Sequence, residues 1–133
     1  MTLAIKPIPI NSASDIVQVR QKVRELAVQL KFSLVDQTKI VTAASELARN
    51  ALEHGKGGTC DVELIENGIR QGLRLVFQDR GPGIADIELA MKDGYTTGGG
   101  LGLGLSGSKR LVNEFELQSQ PGEGTRVMIT RWK

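Results

Sequence analysis

A single cysteine, Cys60, stands in a chain of 133 residues, which excludes an internal disulfide and any cysteine-rich zinc site. Long apolar runs are missing as well. None approaches the roughly 18 residues that a membrane helix needs, and the opening MTLAIKPIPI is too short and too proline-interrupted for a secretory signal. The expectation is a cytoplasmic protein with no membrane partner. Neither sign of charge is in surplus, because 17 basic and 15 acidic residues leave +2. That balance is not the electrostatic footprint that nucleic acid demands, so no nucleic-acid partner is expected. The length suits one core and is too short for two, and no internal repeat or inter-domain linker interrupts it, so residues 1–133 are expected to form one domain.

Glycine is what the chain has in excess. There are sixteen, and nine of them fall between Gly81 and Gly107, so the surplus over the usual ~7% is local and calls for a local purpose. The densest stretch, Gly98 to Arg110, reads GGGLGLGLSGSKR. A plain linker would set serine and charge beside glycine, whereas Leu101, Leu103 and Leu105 need something to pack against. The segment therefore reads as half ordered and half mobile.

Periodicity supplies the elements. Residues 2–10 suit an edge strand, given Pro7 and Pro9. Ser12 or Ser14 with Asp15 offers an N-cap to a helix whose apolar positions, Ile16, Val19, Val23, Leu26, Ala27 and Leu30, run to about Phe32. Asp36 is expected to cap a second helix with Ile40, Ala44, Leu47, Ala48 and Ala51 as its buried stripe, stopped by Gly55, Gly57 and Gly58. Cys60, Val62 and Leu64, then Leu73, Leu75 and Phe77, alternate as a hairpin turning around Asn67 and Gly68. A short helix over 85–91, a loop over 93–97, a third long helix from about 106 to 115 and a final hairpin over 117–132 complete the pattern. The order β α α β β α α β β predicts an α+β two-layer sandwich, with helices on one face of a mainly antiparallel, mixed sheet.

A glycine loop that feeds a helix presents unpaired N–H groups and a positive dipole end, which suits phosphate. Gly102-Leu-Gly104-Leu-Ser-Gly107 matches the dinucleotide fingerprint, with Glu123 at the distance of a ribose-binding acid. The context fails, because a loop precedes it where a strand should and only ten residues follow Glu123. The P-loop arrangement G-K-[ST] and the H-R-D and D-F-G motifs are also absent.

Other residues could serve a nucleotide. On the second helix Glu46, Asn50, Glu53 and His54 fall at i, i+4, i+7 and i+8, on one face. Such a face is ordinarily solvated, yet Asn50 is a poor helix-interior residue whose amide oxygen suits Mg²⁺, and Glu46 one turn earlier could take a proton from a nucleophile. His54 is open to two readings, a helix-end cation favoured by the dipole or a phosphate contact. Asp79 ends a strand and begins D-x-G-x-G. That is either a plain turn or a carboxylate that accepts from an exocyclic amine while Gly81 and Gly83 let a ring approach the backbone.

Taken in order, Glu46-x-x-x-Asn50-x-x-x-His54, Asp79-x-Gly81-x-Gly83, Gly98-Gly-Gly-Leu-Gly-Leu-Gly104 and Gly122-Glu-Gly-Thr125 resemble the N box and three G boxes of the Bergerat-type (GHKL) ATPases and kinases. Within that superfamily, SELARNALEHGKGG, QDRGPGI, DGYTTGGGLGLGLSGSKRLVNEF and PGEGT look like the RsbT-type serine kinases, the switch kinases of bacterial stressosomes. The resemblance implies an ATP site formed by Asn50, His54, Asp79, Gly81, Gly83, Ile84, Thr97, Gly98, Gly99, Gly100, Leu101, Gly102, Leu103, Gly104, Lys109 and Thr125. In it Asp79 meets the adenine amine with Thr125 in support, Asn50 holds Mg²⁺, and Glu46 is the general base. Lys109 and Arg110 would lend cationic charge to the γ-phosphate or simply be a solvated helical turn. The implied partners are a STAS-domain antagonist as substrate and a PP2C-type phosphatase that the released kinase activates. Anti-sigma kinases share the boxes and the chemistry, and a silent docking module is the non-enzyme alternative. The single histidine and the absence of an upstream helix or a transducer domain are expected to set aside histidine kinases and gyrase-like members.

Overall fold

The computed structural model describes residues 2–84, 91 and 104–133. Along the chain these form β1 (Thr2–Ile10), α1 (Ala13–Gln29), α2 (Leu34–Glu53), β2 (Gly58–Glu66), β3 (Gln71–Asp79), α3 (Gly104–Arg110), β4 (Glu114–Ser119) and β5 (Thr125–Trp132). The expected short helix over 85–91, apart from Met91, and the loop over 93–97 lie outside the described residues.

The five strands lie in the order β1-β2-β3-β5-β4, and every pairing among them is antiparallel. β1 is an edge, as its prolines require, and its register shifts between Ile5 and Ile8. Strand alternation sends Cys60 and Val62, Leu73, Leu75 and Phe77, and Val127 and Ile129 to the same face, where all are buried. Both long helices cover that face. α1 contributes Val19, Val23, Leu26 and Ala27, and α2 contributes Ile40, Ala44, Leu47, Ala48 and Ala51. The alanines of α2 let it lie close to its neighbours at no cost in helix propensity. The result is the α+β sandwich that the strand and helix periods predict.

Capping chemistry sets the ends of the helices, as expected at the start of α1 and differently from expectation at the end of α1 and the start of α2. At the start of α1 the cap is Ser12, in a capping box with Asp15, whose carboxylate accepts from the amides of Asn11 and Ser12 at 2.8 and 3.2 Å. α1 stops at Gln29, short of Phe32. Lys31 turns to φ +62°, its amide donates to Val28 O, and the amide of Phe32 reaches back to Ala27 O at 2.9 Å. This is a Schellman stop with lysine in the left-handed position, secured by the buried Phe32 ring. α2 is capped by Ser33, whose Oγ accepts from the Asp36 amide at 3.1 Å, so Asp36 is the third helical residue and not the cap. Asp36 instead receives Arg131 of β5 at 2.5 Å, and Arg131 also donates to Leu111 O at 3.2 Å.

The third helix is the clearest correction. It spans 7 residues in place of the expected ten, and Phe115 belongs to β4, paired with Ile129. Leu111, Val112 and Phe115 fit a helical period, but Phe115, Leu117 and Ser119 also alternate with Glu114, Glu116 and Gln118, and the exposure of β4 follows the second pattern. Asn113 makes the switch. Its amide donates to Thr130 O at 2.9 Å, and its side-chain oxygen accepts from the Trp132 amide at 2.7 Å, so the chain is recruited to the sheet edge.

Candidate functional site

The site is built on the last row of the sheet. Gly58, Asp79, Thr125 and Ser119 lie opposite one another across β2, β3, β5 and β4, on the face that the helices cover. Asp79 is therefore held at the end of a central strand, next to the turn that leaves α2.

Three backbone segments meet there, and glycine is what lets them. Gly55, just beyond α2, lies so close to Asp79 that a Cβ would fall on its carboxyl group. A Cβ on Gly81 would come within 2.6 Å of the Gly55 Cα, nearer than real side chains approach. Gly124 has φ +83° and lies against the Asp79 carbonyl oxygen. At Gly81, then, the glycine serves chain-to-chain approach, which the reading of the D-x-G-x-G run as a ring-approach surface does not anticipate. Gly83, at φ +77°, lies against the carbonyl of Gln120.

Electrostatically, the Asp79 carboxyl is set by opposing effects. Burial raises it above the usual carboxylate range; hydrogen bonds from the backbone of Gly81 (2.9 Å to Oδ1) and of Thr125, together with the field of His54, act against that rise. A half-buried carboxylate that keeps acceptor capacity at a strand end is suited to an N–H donor from a ligand. Beside it lies a cleft of about 510 Å³ whose lining joins Asp79, Ser119 and Thr125 to Gln78, Gln118 and Arg126 of the other face of the sheet.

Ser119 is the residue that sequence reasoning missed. Its Oγ accepts from the Ile84 amide at 2.8 Å, donates to Gly124 O at 2.9 Å and shares a hydrogen bond of 2.8 Å with the Thr125 hydroxyl. It thus ties Ile84, the turn before β5 and Thr125 into one wall. Only its place at the end of an alternating strand, two positions before Pro121, could have drawn attention to it.

The α2 residues are graded. Glu46 is buried, at 3% exposure, which is rare for a carboxylate. Asn50 is half-buried, and its main-chain oxygen accepts from the amides of His54 at 2.9 Å and Gly55 at 3.2 Å. That fixes the turn that rests on Asp79. His54 is exposed and reaches Asp79 through its field. Among the described residues, the cleft is lined by neither Glu46 nor Asn50. The structure therefore gathers Asp79, Gly81, Gly83, Ile84, Thr125 and the His54–Gly55 turn, and sets Glu46 deeper along α2.

Lys109 is exposed in the last turn of α3, where its charge complements the helix dipole. Gly104 opens that helix, and Leu105 packs into the core at 9% exposure, as expected for a leucine of the glycine stretch. Thr97, Gly98, Gly99, Gly100, Leu101, Gly102 and Leu103 lie outside the described residues.

A protein-family model described as histidine kinase-, DNA gyrase B- and HSP90-like ATPase matches residues 35–133. The chain belongs to this ATPase family. The matched span starts in the first turn of α2 and runs through β5, so it contains the whole Asp79 site. Within the family, the chain is 47% identical over 118 residues to serine/threonine-protein kinase RsbT of Bacillus subtilis (strain 168), covering 89% of each chain. It is a member of the RsbT type. An anti-sigma F factor of Thermoanaerobacter sp. (strain X514) is 32% identical over 119 residues, 85% of this chain and 82% of its own. Among solved structures, the RsbU and RsbW domains of a Mycobacterium tuberculosis protein match with a TM-score of 0.67 at 24% identity, over 100% of this chain and 33% of that one. That likeness is one of fold. No helix among the described residues is long and apolar enough to cross a membrane.

Proposed function

We propose that this protein is a cytoplasmic, ATP-dependent serine/threonine-protein kinase that acts by partner switching, with a serine or threonine of a STAS-domain antagonist as substrate and a PP2C-type phosphatase as its second partner. The observation that carries the proposal is the Asp79 cradle, a half-buried acceptor at the end of β3 beside a cleft of nucleotide size, in a chain 47% identical to a serine/threonine-protein kinase.

In this reading Asp79 accepts from the exocyclic amine of adenine, with Thr125 and Ile84 beside it. Residues 97–104 hold the phosphates, and Glu46 takes the proton of the accepting hydroxyl. Phosphoryl transfer depends mainly on positioning and charge neutralisation, so one well-placed carboxylate, a metal and a phosphate clamp suffice. Mg²⁺ would arrive on the nucleotide and be held by Asn50. Among the described residues no three His, Cys, Asp or Glu side chains gather into a cation cage. Mg²⁺ binds through one or two protein oxygens plus phosphates, and its role when bound would be to neutralise phosphate charge.

The 32% identity to an anti-sigma F factor favours a second reading, a kinase of the same chemistry whose other partner is a sigma factor. One experiment separates the two. The protein is incubated with Mg-ATP and, in turn, candidate STAS proteins, PP2C-type phosphatases and sigma factors, then the phosphorylated residue and the stable complex are identified by mass spectrometry and size exclusion. Phosphate on a STAS serine or threonine, with a complex to the phosphatase, is the expected result. A stable sigma complex would move the chain to the second reading, and no phosphotransfer to any STAS protein would overturn the first.

A further inference from the structure

We infer that Ser119 is a positioning residue for nucleobase selection, acting by fixing the direction of the Thr125 hydroxyl. The inference rests on reading the Asp79 cleft as a purine nucleotide site.

The hydrogen-bond count carries it. Ser119 Oγ has one proton and two lone pairs, and three partners lie within bonding distance. The Ile84 amide, at 2.8 Å, can only donate, so it occupies one lone pair. The Gly124 carbonyl, at 2.9 Å, can only accept, so it takes the single proton. Thr125 Oγ1, at 2.8 Å, is left with one option, to donate its own proton to the second lone pair. Ser119 is then saturated, and Thr125 presents the cleft with lone pairs alone.

The consequence concerns ligand chemistry. Asp79 and Thr125 are directly opposed on neighbouring strands, and both line the cleft. An ionised carboxylate is also an acceptor, so the Asp79–Thr125 side of the rim consists of acceptors, while Gln78, Gln118 and Arg126, which also line the cleft, belong to the other face of the sheet. The Asp79–Thr125 side welcomes a base edge that offers N–H groups at position 6 of the purine ring and repels one that offers a carbonyl oxygen there. A freely rotating threonine hydroxyl would not discriminate, since it could turn its proton towards that oxygen. Selectivity of this kind comes from denying the wrong ligand a partner.

The test compares ATP with inosine triphosphate, which carries a carbonyl oxygen in place of the 6-amino group and a proton on N1, binding to the full chain measured by calorimetry. Native protein is expected to prefer ATP. Ser119→Ala should narrow the ATP-to-ITP ratio about fivefold or more, by releasing the Thr125 proton. Ser119→Thr, which keeps the oxygen, should restore it, and Thr125→Val combined with Ser119→Ala should change the ratio no further than Thr125→Val alone. A purely structural role would lower the melting temperature and weaken both nucleotides equally, with the ratio intact, and that result overturns the inference, as does a ratio that rises. If native protein binds neither nucleotide, the purine-site reading itself fails, which is a distinct outcome from a native preference that Ser119→Ala leaves untouched. Should Ser119→Ala not fold, the Ser119→Thr and Thr125→Val ratios decide: the first must match native and the second must be narrowed.

Discussion

Gly55 lies directly on the carboxyl group of Asp79, in the space that any other residue's Cβ would fill. The turn that ends α2 and the end of β3 therefore share one fixed geometry, and a site on either is a site on both.

The first prediction tests that contact. Gly55→Ala should displace the Asp79 side chain, abolish ATP binding by calorimetry and destabilise the fold by about 1–3 kcal/mol, the usual cost of overpacking. Gly122→Ala is the control. Gly122 has φ +81° but open space around it, so that variant should lose only about 1–2 kcal/mol to backbone strain and keep its nucleotide. Retained binding in Gly55→Ala would show that the contact does not set the site.

Asp79 itself should trade stability for binding. Burial holds its carboxyl above the ordinary value of 3.8, so its contribution to folding is complete below that pH and is lost as pH rises through the raised value. At neutral pH the ionised group weighs against the fold. Asp79→Asn should accordingly melt higher than native protein at pH 7, with the gap closing below pH 3.8, while ATP binding disappears. Melting curves at the two pH values together with one titration check it.

Chemistry and binding should separate along α2. Glu46→Gln keeps the shape of a side chain only 3% exposed and should bind Mg-ATP as native protein does, with phosphotransfer slowed about 10²–10⁴-fold, the usual contribution of a general base. Asn50→Ala should lose the magnesium-dependent part of nucleotide affinity. Native transfer rates in Glu46→Gln would remove it from the base role.

The fourth prediction concerns the far end of α2. The Arg131 guanidinium, bonded to Asp36, holds that carboxyl below its ordinary 3.8, with help from Ser33 and Lys39. Its stabilisation is therefore present above pH 3.8 and lost as pH falls through the lowered value. Arg131→Met should cost about 1–2 kcal/mol at pH 7, and its deficit against native protein should shrink on acidification, as followed by chemical denaturation.

The hairpin of β2 and β3 and the buried stripes of α1 and α2 were legible because each side chain obeys a single period. Phe115 obeyed two, and the choice fell to Asn113, whose partners on Thr130 and Trp132 lie too far along the sequence for local patterning to see. Asp79 was legible from its D-x-G-x-G setting. The contacts of Gly55 and Ser119 were not, because each depends on segments brought together only by the sheet: β3 against the α2 turn, and Ile84 against β4 and β5.

The strand order places β5, last in sequence, between β3 and β4. A nascent chain that has emerged as far as β4 consequently lacks the plank on which Asp79 and Ser119 are both registered. Until β5 is in place Asp79 and Ser119 share no strand, so the Asp79 cradle is among the last parts of this sheet to be assembled.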